Sequence, residues 1–189
     1  MKLRIADLSI CFGYEVIAAM TAVLILDREN RVICCFAAAL LHELGHIVMM
    51  RLCRVKVRGL RLRLFDVLIE ADEPADLCAD AWITSGGVLV NFLCAAIFCP
   101  FSLKVGLPHL ALGIFNLLPV ISLDGGRLLS ICLSRRFSPH VTDTVLRVTT
   151  FLFLLPLMTA GIYLLFQSGY NYSLLLISLY LLAVLLLKK

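Results

Sequence analysis

Charge is scarce in this chain. Asp, Glu, Lys and Arg make up only 16% of its 189 residues, whereas 61% are hydrophobic. A soluble domain is about half apolar and about a quarter charged, so one small core cannot hide the apolar excess and most of it must face lipid. Linker-like Gly, Pro or Ser stretches and internal repeats are absent, so the expectation is a single domain over 1–189. The C-x-x-C pattern is absent too. Of eight cysteines, Cys34, Cys35, Cys94, Cys99 and Cys132 lie in or at the ends of apolar runs, which argues against a disulfide scaffold and for small packing residues.

What the chain has instead is long apolar runs. A bilayer crossing takes about 20 residues; the candidates are 10–26 (interrupted by Glu15), 32–50, 81–103, 105–133, 148–167 and 172–187. The fourth is broken by Pro119 and Asp124. The first lacks a small-residue cleavage site and leads through the polar turn Asp27–Arg31 into another run, so it reads as a retained span rather than a signal peptide. Such a set places both termini on one side, with the loops 51–78 and 134–147. Of the 17 Lys and Arg, only Arg28, Arg31 and Lys104 fall on the opposite side. Basic side chains resist translocation, so both termini are expected in the cytoplasm. The net charge of +4 reflects this bias and is no argument for nucleic acid as a partner. The expected fold is all-α and polytopic, with about six transmembrane helices, the fourth broken.

Ionisable groups inside a span usually mark function. The second run contains His42-Glu43-Leu44-Gly45-His46. On a helix His42 and His46 stand one turn apart on one face and can converge on an ion. Glu43 projects about 100° away and can reach a water beside that ion without being a ligand. This is the H-E-x-x-H arrangement of zinc proteases, with Glu as general base. The bland alternative, two satisfied core histidines, leaves several polar groups in hydrocarbon without a stated purpose. Catalytic zinc normally takes three protein ligands, and the distant candidates are Glu15, His109, Asp124, His140 and Asp143. His109, His140 and Asp143 sit at span edges or in loops, and Glu15 can snorkel. Asp124 follows a proline that distorts its span and precedes Gly125 and Gly126, so a broken helix can hold it at the depth of the histidines.

Together, His-Glu-Leu-Gly-His on one span and Asn116-Leu117-Leu118-Pro119 … Leu123-Asp124-Gly125-Gly126-Arg127 on a later one resemble the site-2 protease family of intramembrane zinc metalloproteases, peptidase family M50. The six-span pattern looks most like its sporulation-type stage IV branch, which processes a membrane-tethered pro-sigma factor. The resemblance covers roughly 30–135. It implies His42, His46 and Asp124 as zinc ligands, Glu43 as catalytic acid/base, and Asn116 beside the site, assisting substrate or oxyanion. Gly86-Gly87-Val88-Leu89-Val90-Asn91 is similar to the family's glycine-plus-Asn element; close helix packing by small residues is the alternative. The chain departs from many members in carrying Ile121 and Ser122 where a second proline is common. It ends at Lys189, so no C-terminal regulatory domain is expected.

Between 52 and 70, Arg54, Lys56 and Arg58 alternate with Val55 and Val57, and the phase slips at Gly59 before Arg61 and Arg63. Period two implies a small β-hairpin after the second helix, bent or bulged at Gly59. It can add substrate as an extra strand or anchor to anionic lipid. Asp72, Glu73, Asp76 and Asp80 are placed to cap the third span, and Trp82 suits an interface. The expected partners are a membrane-tethered protein substrate and the bilayer of a bacterial cell; a second copy or a regulatory membrane protein fits as well. The alternatives are a metal sensor or transporter, for which the last two spans offer almost no polar path, and a non-catalytic relative, against which the intact quartet speaks.

Overall fold

The computed structural model describes residues 2–5, 8–12, 21, 31–62, 67–169 and 172–187. It divides into two compact units, 1–114 and 115–189.

The first unit contains helices α1 (Arg31–Leu52), α2 (Leu77–Phe98) and nearly all of α3 (Leu103–Asn116). Each of the first two has 22 residues, about 33 Å at 1.5 Å per residue, enough to cross the hydrocarbon. Their polarity is inverted relative to a soluble helix. On α1 the buried residues are Ala38, His42, Gly45 and His46, while Leu40, Leu44, Val48 and Leu52 form an exposed stripe. On α2 Leu89, Leu93 and Ile97 do the same, and Thr84, Gly86, Gly87 and Asn91 lie inside. Lipid solvates the apolar stripes, so helix association comes from close packing of small residues. Here Gly45 and Gly86 bring the two backbones together: a Cβ on Gly86 would lie 2.6 Å from the Gly45 carbonyl oxygen.

The expected hairpin is present as β3 (Val57–Leu62) and β4 (Val67–Ala71), antiparallel, with an irregularity between Val57 and Gly59. Arg58 pairs with Asp72 beside it. The helix leading into it ends in a Schellman turn: Val55 N–H donates to Met50 O, Arg54 N–H to Arg51 O, and Arg54 has φ 59°. Two strands were not foreseen, β1 (Lys2–Ile5) and β2 (Leu8–Phe12). They form a four-stranded sheet in the order β1-β2-β3-β4, with β2 parallel to β3 through Ser9–Gly59. The apolar run expected from residue 10 therefore starts inside a strand, whose partner lies some fifty residues away in sequence; most of that run, with Glu15, lies outside the described residues.

The second unit carries α4 (Asp124–Ser134), α5 (Pro139–Ser168) and α6 (Ser173–Leu187) around a core of Val120, Leu154 and Leu181. The stretch 134–147, read as a loop, is mostly helical: Ser138 precedes Pro139 at the first helical position, and Asp143 and Arg147 pair at 2.7 Å across one turn. His140 and Asp143 therefore stand on α5. The third expected span likewise starts at Leu77, where Asp76 caps it by accepting from Ala79 N–H at 2.7 Å. Among the described residues α1, α2 and α5 are long and apolar enough to cross a membrane, and α6 is a shorter apolar helix.

The fourth expected span is broken between Asn116 and Asp124. Buried backbone there must find partners. Leu118 N–H donates to Phe115 O, Val120 N–H to Leu118 O and Leu123 N–H to Val120 O. Ile121 N–H donates to Thr150 Oγ1 on α5 at 3.0 Å, and Thr150 is fully buried. Gly125 and Gly126 form the first turn of α4 rather than a tight turn. A Cβ on Gly125 would lie 2.5 Å from Leu118 O, and one on Gly126 2.5 Å from the Val120 carbonyl carbon. Lacking side chains, they let the broken segment fold back on the helix start.

Candidate metal centre

His42 and His46 meet on the buried face of α1. Their Nε2 atoms are 3.2 Å apart and the rings stand edge to face, interplanar angle 86°. Each ring is held from behind. His46 Nδ1–H donates to Ile83 O on α2 at 2.8 Å, and His42 Nδ1 lies 3.0 Å from Asn91 Nδ2. Outer partners at Nδ1 orient an imidazole and leave Nε2 for a metal. Gly87 completes the cradle: a Cβ there would sit 2.5 Å from His46 Nε2 and 2.6 Å from His42 Cε1. Two nitrogens bound to one tetrahedral zinc at ~2.0–2.1 Å stand roughly 3.3 Å apart, so the spacing of the pair fits.

The remaining expected residues are distributed as follows. Glu43 is partly buried on α1, one position from His42. Asn91 is fully buried on α2, which assigns the glycine-plus-Asn element to this pair of rings. Asp124 is the first residue of α4 in the second unit, with Leu123 at the N-cap position. Asn116 closes α3, partly buried, at the start of the break. Asp124 and Asn116 belong to the second unit.

The description "Peptidase family M50" matches residues 100–157, which include the Asn116–Pro119 and Leu123–Arg127 stretches. The match covers less than a third of the chain. In fold the chain is similar to the Site-2 Protease from Methanocaldococcus jannaschii, at 23% identity and TM-score 0.68, over 96% of this chain and 91% of that one. No curated protein matches it. The shared fold is built mainly of helices with a small sheet, and among the described residues three helices are long and apolar enough to cross a membrane.

One polar residue beside the histidine pair was not foreseen from the sequence. His109, set aside as a span-edge residue, is on the second turn of α3 and only 1% exposed. Its Nδ1 lies 3.1 Å from Asn91 Oδ1, and its ring stacks on Phe98 at 5.9 Å. The available signal was the one that singled out the histidine pair, an ionisable side chain in an apolar stretch. What spacing could not supply is its partner, 18 residues away on another helix. Thr150 was missed for the same reason; a threonine in a long apolar helix carries no mark of the amide it serves.

Proposed function

We propose that this chain is a zinc-dependent endopeptidase that cleaves a membrane-tethered protein in or near its transmembrane segment, with the whole of 1–189 acting as one catalytic domain centred on 30–135. In this reading His42, His46 and Asp124 are the zinc ligands. The observation that carries this reading is the converging Nε2 pair of α1, each ring held at Nδ1, on a helix long enough to span the bilayer. Zinc, when bound, supplies a Lewis acid for the scissile carbonyl and lowers the pKa of a nearby water.

Glu43 acts as general base on that water and returns the proton to the leaving amine nitrogen. Its position next to His42, a third of a turn around α1, supports that role. Asn116, at the mouth of the break, assists the substrate carbonyl or the developing oxyanion; Asn91 contributes from behind His42. A helical substrate hides its carbonyls in hydrogen bonds, so the cleaved segment must be unwound. The sheet offers a means. β4 lies at one edge, and an edge strand can pair with an extended peptide, while Arg54, Lys56 and Arg58 favour anionic lipid nearby. By resemblance to the sporulation-type branch, the substrate is a pro-sigma factor and the membrane that of a bacterial cell with both termini of the enzyme cytoplasmic. A second copy or a regulatory membrane protein completes the expected set of partners.

The test is Glu43→Gln, co-expressed with candidate single-span substrates. Cleavage should fall by about 10³-fold while zinc stays stoichiometric by elemental analysis. Cleavage at the parent rate in that variant sinks the proposal.

A further inference from the structure

Five polar groups of the first unit form one continuous line. His109 Nδ1 is 3.1 Å from Asn91 Oδ1, Asn91 Nδ2 is 3.0 Å from His42 Nδ1, His42 Nε2 is 3.2 Å from His46 Nε2, and His46 Nδ1 is 2.8 Å from Ile83 O. His46 Nδ1–H donates to the Ile83 carbonyl. Behind His42, the Asn91 side-chain amide stands between the rings of His42 and His109.

A histidine that binds metal through Nε2 is oriented by the group that meets its Nδ1, and for His42 that group is Asn91. Asn91 is 0% and His109 1% exposed, so bulk water does not reach either, and an unmatched buried group is expensive. The Asn91 amide therefore depends on His109 for its second partner. An imidazole, with two neutral tautomers, can meet either end of that amide. Stacking on Phe98 holds its ring in place.

We propose that His109 is a positioning residue for the metal: by holding the buried Asn91 amide it fixes the ring of His42 with Nε2 free for zinc. This rests on the assignment of His42 and His46 as ligands.

The experiment uses the purified full chain in detergent. Zinc affinity is measured by chelator competition, and Co²⁺ binding by its visible absorption, for the parent, His109→Phe, His109→Gln, and the double variant Asn91→Asp/His109→Phe. Loss of an outer partner weakens metal sites by about 10–100-fold, and His109→Phe should fall near the lower end. His109→Gln, whose amide can present either an acceptor or a donor, should stay within about threefold of the parent. Asp at 91 accepts from His42 Nδ1–H whatever stands at 109, so the double variant should recover the affinity lost in His109→Phe. Parent-like affinity in His109→Phe, or a loss that Asn91→Asp does not restore, overturns the proposal. A parent chain that binds no zinc overturns the ligand assignment itself, a result distinct from these.

Discussion

At the α1–α2 crossing the polar groups are side chains on unbroken helices, whose backbone bonds are closed internally; at 117–123 the polar groups are the backbone itself. The crossing needs only small residues, so that two straight helices approach until Ile83 O and Asn91 reach the histidine rings. The break needs an acceptor from another helix, Thr150, and two glycines on which the loop can lie. The first arrangement is local to one helix pair and rigid. In the second, a side chain 29 residues away decides where Asp124 begins its helix.

The contrast can be broken most sharply at Gly87. In Gly87→Ala the new Cβ occupies the position facing both imidazoles, so zinc affinity should fall by at least about 100-fold, roughly 2.8 kcal/mol, as read by chelator competition. Parent-like affinity in Gly87→Ala means that the crossing does not shape the pair. At the other region Gly126→Ala drives a Cβ into the Val120 carbonyl, a backbone group with little freedom to yield, and should destabilise by about 2 kcal/mol in a denaturant titration. Thr150→Val strands the Ile121 amide and should remove about 1.5 kcal/mol; Thr150→Ser should keep most of it. Stability in Thr150→Val equal to the parent would show that the break does not depend on α5. The smallest effect is expected outside both regions. Arg54 holds a left-handed conformation, φ 59°, so Arg54→Gly should stabilise by about 1 kcal/mol, seen as a rise in Tm with unchanged zinc affinity.

How far each region could be read from the chain follows from the same contrast. His42 and His46 were legible because their relation is a helical repeat, fixed by backbone geometry alone. Pro119 announced a break, and Gly59 a bulge, because both act on their own backbone. The roles of Gly125 and Gly126 were not legible: glycine signals conformational freedom or close approach, and here it is approach within a regular helix. β1 and β2 went unread because an apolar run of that length also suits a span, and pairing with β3 is what settles it.

The sequence by itself determined that this chain lives in a membrane, since its apolar excess has no other solvent, and that one helix carries two histidines and a glutamate within one turn. It also determined that the later span must break before Asp124. Only the tertiary structure decided which groups stand behind the histidines. Ile83 O and Asn91 reach them from α2 and His109 backs Asn91 from α3, and a hydrogen bond between helices depends on crossing position and depth, which no spacing along one chain encodes.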